Sequence, residues 1–348
     1  MNAAFRVDAS VAVGTGHLMR CLTLADELAA RGNTCAFLTR RLPGSLEAKI
    51  LTRGFSHFLV EDEPGAFVVG PRDAVRSTEI LTSFQQRPAW VIVDHYGIGE
   101  AWEEQVRPFA NRILAIDDLA NRRHACDLLL DQNHADPARY QSLVGANTRL
   151  LLGPRFVLLR PEFSALAHRV AAPTQLRRLF IFYGGTDPTH ESSIAVDALL
   201  QSGLHFDEIS IVLGAESPQR TALMEKIKGL PGAILNEDVD NIAELIFKAD
   251  CALGSGSSNI WERSALGVPS LVTITAENQR ELALSLDAAG AIRLLGDAGY
   301  VNAALIARSL EELSVAPAEL AQMSKAGSAL TALDGCAKVV DAMMALDD

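Results

Sequence analysis

A histidine follows two glycines near the start of the chain, where it could act as a base. The residues are Gly14, Gly16 and His17, and they separate a short apolar run at 5–7 from an amphipathic stretch at 17–30. Glycines let a ligand approach the backbone, and open α/β sheets bind ligands beyond the carboxyl ends of their strands. The positive end of a helix dipole disfavours an imidazolium, so a histidine in the first turn stays neutral and able to accept a proton. The pattern favours His17 as a general base over a histidine that only packs against the loop.

A run of small polar residues in the second half of the chain could bind a phosphate. It follows the apolar run Cys251–Leu253 and leads into a helical stretch. Backbone amides and hydroxyls at such a junction form a site for a phosphate or diphosphate, and a simple glycine-rich connection is the alternative. The hydroxyl and amide side chains favour the anion site, whose candidate residues are Gly256, Ser257, Ser258 and Asn259.

Three polar residues beyond the apolar run 270–274 form another candidate site. They are Glu277, Asn278 and Gln279. The carboxylate of Glu277 could chelate a ribose diol, and the two amides can both donate and accept hydrogen bonds. A solvated start to the next helix explains the same residues equally well.

A glycine turn after the apolar run 179–183 is a further candidate ligand contact. Gly184 and Gly185 form this turn, and Thr186 or Asp187 could cap the helix that follows. Its place at a strand end is the reason to consider it.

Polar residues also end two apolar runs in the first half of the chain. Asp94 and Tyr96 follow one run, and Asp117 and Asp118 follow the other. Taken singly, these residues are ordinary polar loop residues, although parallel strands would place them at one edge of a sheet.

The sequence predicts neither a cofactor nor a metal. Met19 interrupts the G-x-G-x-x-G pattern of a dinucleotide site, and the phosphate-loop, H-E-x-x-H and G-x-S-x-G patterns do not occur. Asp238 and Asp240 form a D-x-D pair, but they directly precede the helical stretch 241–248. Aspartate is common at helix N-caps, so capping is the preferred interpretation.

Composition narrows the class of protein. The 348 residues carry 31 basic and 43 acidic side chains, for a formal charge of −12, which disfavours a nucleic-acid partner. Five scattered cysteines, never spaced C-x-x-C, suit reduced thiols rather than a disulfide framework. The sequence shows no signal peptide and no apolar run long enough to span a bilayer. A cytoplasmic location and no membrane insertion are therefore expected.

Apolar runs alternate with helical stretches along the chain, which is typical of βαβ units around parallel sheets. The polar, proline-containing segment 170–178 resembles a linker. The sequence therefore predicts an α/β protein of two Rossmann-like domains with a cleft between them. The expected N-terminal domain, residues 1–170, carries the histidine loop, and the expected C-terminal domain, residues 171–348, binds the nucleotide. The last residues predict a terminal helix or two.

Seven segments occur in an order that resembles a known enzyme family across nearly the whole chain. The family is the nucleotide-sugar hydrolases of pseudaminic acid biosynthesis, which have the two-domain glycosyltransferase-B fold. The segments are GTGHLMRCLTLADEL, VDHYGIGEAWE, IDDLANRRHACDLLLDQN, LLGPRFVLLRPEF, YGGTDP, WERSALGVP and ENQ.

The resemblance implies an activity and roles for individual residues. The family hydrolyses UDP-2,4-diacetamido-2,4,6-trideoxy-β-L-altropyranose to UDP and the free sugar, without a metal. By this resemblance His17 matches the catalytic base and Tyr96 a tyrosine of the sugar site, while Glu262 and Asn278 match further substrate-site residues. Many members have Gly-Gly-Ser-Ser-Thr before W-E-R, where this chain has Gly256-Ser-Ser-Asn-Ile260.

Two other functions remain open from the sequence. One is a glycosyltransferase of the same fold that passes the sugar from UDP to a hydroxyl acceptor. The other is a protein that binds a nucleotide sugar without catalysis, which would not need a base at position 17. In each reading the partner is a UDP-sugar.

Overall fold

Two parallel sheets organise the chain. The structure, a computed structural model, describes residues 2–9, 15–42, 46–61, 69–167, 172–215 and 217–347. The strands are β1 (Asn2–Val7), β2 (Thr34–Thr39), β3 (Ser56–Leu59), β4 (Trp90–Asp94), β5 (Arg112–Ile116), β6 (Leu128–Asp131), β7 (Arg149–Leu152), β8 (Arg178–Phe182), β9 (Glu208–Leu213), β10 (Ala233–Glu237), β11 (Cys251–Ser255), β12 (Ser270–Ile274) and β13 (Arg293–Asp297).

Helices follow most of the strands. They are α1 (Gly16–Ala30), α2 (Glu47–Thr52), α3 (Pro71–Thr82), α4 (Glu100–Val106), α5 (Pro161–Leu166), α6 (Glu191–Ser202), α7 (Arg220–Ile227), α8 (Ile242–Lys248), α9 (Asn259–Ala265), α10 (Arg280–Ala288), α11 (Ala303–Ser314), α12 (Pro317–Leu330) and α13 (Gly335–Asp347). Short 3₁₀ turns, including 154–156 and 277–279, complete the connections.

The two sheets have the strand order of a doubly wound α/β fold. The first runs β3-β2-β1-β4-β5-β6-β7 and the second β10-β9-β8-β11-β12-β13. In each sheet the order reverses at the first strand, so β1 neighbours β4 and β8 neighbours β11. Ligands bind outside the carboxyl ends of the strands at such a reversal. The fold thus brings the segments after β1 and β4 together, and likewise those after β8 and β11.

The apolar runs predicted the interior strands of both sheets and one edge strand, β10. Every residue of β4, β11 and β12 is buried, because a parallel sheet covered on both faces needs apolar side chains on both. The expected helix at 17–30 is confirmed as α1, and Gly32 ends it with φ of +80°, in the left-handed region.

Three strands were not expected from the sequence. They are β3, β7 and β13, and each lies at an edge of its sheet. Their residues are mostly half-buried or exposed, and polar residues interrupt their apolar runs. An edge strand is covered on fewer sides than an interior one, so its sequence carries a weaker apolar signal.

The domain boundaries predicted from the sequence are wrong at the C-terminus. The chain forms a first unit of residues 1–159 with 334–348, and a second unit of residues 160–333. The last helix, α13, returns to the first unit, because its buried residues Val339, Val340 and Met343 belong to the same core cluster as Leu22 of α1. The predicted boundary at 170/171 lies outside the described residues. The expected terminal helices are confirmed as α12 and α13.

No helix in the described ranges is long and apolar enough to cross a membrane.

Met343→Ala tests the assignment of α13 to the first unit. Met343 is fully buried, so its truncation should lower the free energy of unfolding by about 2–5 kcal/mol. Met344 is 43% exposed and is the matched control, since Met344→Ala should change stability by no more than about 0.5 kcal/mol. Hydrogen exchange should accelerate in β1 and α1 of the Met343 variant. Acceleration confined to residues 160–333 would contradict the assignment.

Candidate functional site

The histidine predicted as a base lies at the start of α1, beside the end of β4. Gly16 is the first residue of α1 and His17 the second, while Asp94 is the last residue of β4. Gly14 lies outside the described residues. Because β1 and β4 are neighbours, the segment that follows β1 brings His17 to Asp94, although the two are 77 positions apart in sequence.

His17 is held by a buried carboxylate. Its Nδ1 lies 2.6 Å from Oδ1 of Asp94, whose side chain is fully buried, while the His17 side chain is 11% exposed. Nδ1 also lies 3.1 Å from Nη2 of Arg20, which can only donate, but the contact with the carboxylate is the shorter one. An ionised carboxylate only accepts hydrogen bonds, so the shorter contact favours the ring proton on Nδ1. Nε2 then carries the lone pair. This is the arrangement of an oriented general base.

Arg20, one turn further along α1, keeps Asp94 ionised. Its Nε donates to Oδ2 of Asp94 and its Nη2 to Oδ1, each at 2.6 Å. Burial alone would raise the pKa of Asp94, but the charges of Arg20 and then His17 hold it well below its usual range. Since Arg20 and Asp94 neutralise each other, the buried carboxylate stays charged without being isolated.

Tyr96 and Asp118 complete the group around His17. The Tyr96 ring packs edge-on against the imidazole, with centroids 4.6 Å apart. Asp118 accepts from Nη1 of Arg20 at 3.1 Å and from Nδ2 of Asn133 at 3.2 Å. Burial opposes ionisation of Asp118, but Arg20 and His17 lower its pKa. Within the described chain, Oδ1 of Asp118 is buried without a hydrogen-bond donor.

Asp117, next in the chain to Asp118, has a structural role. Its carboxylate accepts from the backbone of Ala120 at 2.9 Å, from Arg122 at 2.6 Å and from Tyr140 at 3.2 Å. Because these donors occupy its oxygens, Asp117 stabilises the surrounding loops, as expected of an ordinary polar loop residue.

Sequence reasoning identified His17 and Tyr96 and noted Asp94 and Asp118, but it missed Arg20 and Asn133. Arg20 stands three positions after His17, and residues with this spacing share a helix face. Together with the acidic strand end at Asp94, that spacing was a usable signal. Asn133 follows a strand end two positions after Asp131, and nothing in its spacing marked it out.

In the second unit, Gln279 ties two strand-end loops together. Its Oε1 accepts from the backbone of Gly256 at 3.2 Å and from the backbone of Thr275 at 3.1 Å. Beside this contact, the Ser255 hydroxyl donates to Oγ of Ser257 at 2.9 Å. The candidate phosphate loop and the Glu277–Gln279 turn therefore lie side by side, as the order of β11 and β12 requires.

Asn259 and Glu262 are bonded to each other. Asn259 Nδ2 donates to Oε2 of Glu262, and Arg160 Nη2 donates to Oε1 of Glu262 at 3.0 Å. Ser258 takes the N-cap position of α9 without a side-chain cap bond. These contacts hold the segment 256–259 in place on both sides.

Glu277 and Asn278 lie at the surface. The Glu277 side chain is 80% exposed, and a hydrogen bond from Arg280, at 2.9 Å, lowers its pKa. Asn278 beside it is also exposed. A contact of Glu277 with a ribose therefore stays a prediction.

The Gly184-Gly185 turn leaves open space next to β8. A Cβ at either glycine would meet no atom within 4 Å, and Gly184 has φ of +107°. His190 takes the N-cap position of α6, but the side chain of Asp187 accepts from the first backbone amides of the helix, those of Glu191 at 3.1 Å and Ser192 at 2.8 Å. Of the two caps expected from the sequence, Asp187 is the one formed.

The expectation that Asp238 or Asp240 caps α8 is wrong. Asn241 is the N-cap of α8 and makes no side-chain cap bond. Asp238 instead accepts from the backbone of Ala215 at 3.1 Å, with its own φ at +45°. The turn before α8 directs this carboxylate back towards the loop after β9.

Comparison with solved structures defines the class of fold. MurG of Acinetobacter baumannii superposes with a TM-score of 0.67 at 13% identity, covering 99% of both chains. LpCGTa in complex with UDP superposes with a TM-score of 0.67 at 14% identity, covering 99% of this chain and 98% of that one. UDP-GlcNAc 2-epimerase of Neisseria meningitidis superposes with a TM-score of 0.65 at 12% identity, covering 99% of this chain and 100% of that one. The chain has the glycosyltransferase-B fold, with two Rossmann-like domains.

Curated relatives support the resemblance inferred from the motifs. The chain is 26% identical over 288 residues to the UDP-2,4-diacetamido-2,4,6-trideoxy-β-L-altropyranose hydrolase of Campylobacter jejuni, covering 81% of this chain and 95% of that protein. It is 28% identical over 159 residues to the spore coat polysaccharide biosynthesis protein SpsG of Bacillus subtilis, covering 45% and 47%. An uncharacterised protein of Methanocaldococcus jannaschii is 24% identical over 293 residues, covering 81% of this chain and 57% of that protein. The matches span about half the length of the latter two relatives. No family model matches the chain.

Asp94→Ala tests whether Asp94 sets the tautomer of His17. Without the acceptor, we expect the Nε2–H tautomer to gain population, since nothing then holds the proton on Nδ1. Ring ¹⁵N shifts in long-range ¹H–¹⁵N spectra report this directly, with the 83% exposed His205 as an internal reference. Asp127→Ala is the matched control, because Asp127 also accepts from an arginine, Arg107, in the same unit. An unchanged Nδ1–H tautomer in the Asp94 variant would contradict the assignment.

Proposed function

We propose that this protein hydrolyses a UDP-sugar, with His17 as the general base that activates water. The observation that carries the proposal is the 2.6 Å contact of His17 Nδ1 with the buried Asp94, which leaves Nε2 as a proton acceptor. The similarity to the Campylobacter jejuni hydrolase supports UDP-2,4-diacetamido-2,4,6-trideoxy-β-L-altropyranose as the substrate. The products are UDP and the free 2,4-diacetamido-2,4,6-trideoxy-L-altrose.

In this proposal the second unit binds the nucleotide. The segment Gly256–Asn259 holds the diphosphate, the segment Glu277–Gln279 holds the ribose and uracil side, and the Gly184-Gly185 turn adds backbone contacts. Support comes from the reversal of strand order between β8 and β11 and from Gln279, which joins the two loops. The open space at Gly184 leaves room for a ligand against the backbone.

The proposed reaction is a single displacement with inversion. Nε2 of His17 takes a proton from water while the water oxygen attacks the anomeric carbon. The bond from that carbon to the β-phosphate oxygen breaks, and its electron pair leaves with UDP. Asp94 stabilises the imidazolium that forms, as the carboxylate of a catalytic triad does. Tyr96, packed against the imidazole, lies where it can contact the sugar.

The proposed reaction needs no metal. A diphosphate is already a good leaving group if donors stabilise its developing charge. The acidic residues near His17 already receive hydrogen bonds: Asp94 from Arg20 and His17, and Asp118 from Arg20. Such carboxylates are poor candidates for holding a divalent ion, because the positive charge of Arg20 already lies against both of them.

A glycosyltransferase is the second candidate, and the fold itself favours it. MurG and LpCGTa show the same fold at TM-scores of 0.67. In that case an acceptor hydroxyl would replace water as the group that His17 deprotonates. The two candidates thus share a base and differ in the nucleophile.

UDP release in water separates these functions. The purified protein, incubated with the diacetamido-trideoxy UDP-sugar and excess EDTA but no acceptor, should release UDP and the free sugar. Release in H₂¹⁸O should place ¹⁸O in the sugar and none in UDP. Release only after addition of an acceptor would favour the transferase, and UDP-sugar binding without turnover would favour a binding protein. Loss of activity in EDTA, restored by magnesium or manganese, would contradict the metal-free reaction.

His17→Ala should lower turnover by about 10²–10⁴-fold, the range for loss of a positioned proton acceptor. UDP affinity should stay nearly unchanged, because the proposed nucleotide site lies in the second unit. His205→Ala, at an exposed position, is the control. Near-normal turnover, or a loss of UDP affinity as large as the loss of turnover, would contradict the role of His17.

A further inference from the structure

Arg263, in α9 of the second unit, is a buried cation without a carboxylate partner. Its side chain is fully buried, and in the part of the chain that the structure describes no carboxylate lies within ion-pair distance of it. Its Nη2 donates to the carbonyl of Ser255 at 2.8 Å and its Nη1 to Oδ1 of Asn259 at 3.2 Å. Its Nε has no hydrogen-bond acceptor among the described residues.

The surroundings do not neutralise this charge. Burial lowers the pKa of Arg263 to about 10, against weaker opposing effects of Tyr183 and Glu262. Glu262, a carboxylate whose charge acts on Arg263, is itself paired with Arg160 at 3.0 Å. Arg263 therefore remains protonated at neutral pH, and a buried charge without a counter-charge is strongly disfavoured.

The strand beside Arg263 is shaped to receive its guanidinium. A Cβ at Gly254 of β11 would overlap Nη1 of Arg263 and would also lie 2.7 Å from the carbonyl oxygen of Phe182. Only a glycine leaves this space. The guanidinium thus lies directly behind the segment Ser255–Asn259, to whose two ends it donates.

We propose that Arg263 provides the counter-charge for a phosphate-bearing ligand that binds on the other side of the segment Ser255–Asn259. The inference rests on the nucleotide site proposed above and adds the residue that makes this site selective for the anionic part of the ligand. Arg263 is a positioning residue in this role: it orients the loop through Ser255 and Asn259 and projects its charge through the loop. Binding of the phosphate supplies the negative charge that the folded protein lacks at this point.

The test uses the full-length protein and three probes: UDP, uridine and inorganic pyrophosphate. Arg263→Met removes the charge at similar length and should weaken binding of UDP and of pyrophosphate by about 10–100-fold, while uridine binds as before. Arg263→Lys keeps a charge and should recover much of the affinity. Arg178→Met is the matched control, because Arg178 pairs with the carboxylate of Asp250 and should leave all three affinities unchanged.

The unfolding temperature distinguishes an Arg263 that balances the charge of a ligand from an Arg263 that only stabilises the fold. Without ligand, Arg263→Met should unfold at the same or a higher temperature than the unsubstituted protein, since an uncompensated buried charge has been removed. With saturating UDP, the rise in unfolding temperature should be smaller than in the unsubstituted protein. If Arg263→Met does not fold, Arg263→Gln removes the charge but keeps an amide that can donate a hydrogen bond, and it should lower UDP affinity while leaving uridine unaffected.

The outcomes distinguish the inference from the proposed function. If the unsubstituted protein binds UDP but Arg263→Met changes UDP and uridine affinity equally, or neither, the inference is wrong and the nucleotide site stands. If pyrophosphate binds with the expected dependence on Arg263 but UDP does not, the inference stands and the proposed function is wrong. If neither UDP nor pyrophosphate binds, both are wrong.

Discussion

The buried carboxylate of Asp94 is the interaction on which the first unit's site depends. Its two oxygens receive three charge-assisted contacts, one from Nδ1 of His17 and two from Arg20, all at 2.6 Å. A carboxylate so far from water persists only with such partners. Both are on one face of α1, so the same contact that stabilises Asp94 also fixes the start of that helix against β4. The position of His17, and the tautomer that we assign to it, follow from its hydrogen bond with the Asp94 carboxylate, whose charge Arg20 balances.

The two units solve the problem of buried charge differently. In the first unit the carboxylate of Asp94, at a strand end, is matched by the guanidinium of Arg20 in the same unit. In the second unit Arg263 lies behind a strand-end loop without a carboxylate in ion-pair contact among the described residues. An unmatched internal charge adds nothing to stability, and this is the charge that we propose a ligand phosphate balances. A site whose charges balance, like that of Asp94 and Arg20, suits a base that must act on water. A site with an excess positive charge, like that of Arg263, suits the binding of an anion.

Elements that depend on a local sequence pattern could be predicted, whereas features that depend on exposure or on contacts between distant parts of the chain could not. Interior strands such as β4 and β11 and the amphipathic α1 are local patterns, and the sequence indicated them. Edge strands such as β3 were missed because partial exposure weakens their apolar pattern. The place of α13 was missed because an amphipathic helix shows that it packs, but not against which core; Val339 and Met343 would suit either unit.

The sequence by itself determined the alternation of strands and helices, the glycine turns at strand ends, and His17 as the residue type able to accept a proton. Only the tertiary structure decided which polar groups meet. His17 and Asp94 are separated by 77 positions and Arg20 and Asp118 by 98, and parallel strand order alone brings such pairs within hydrogen-bond distance. It also decided that Glu262 pairs with Arg160, while Arg263 meets no carboxylate among the residues that the structure describes. Hydrogen bonding requires contact at about 3 Å, and a linear pattern of residue types specifies which groups could bond but not which of them come that close.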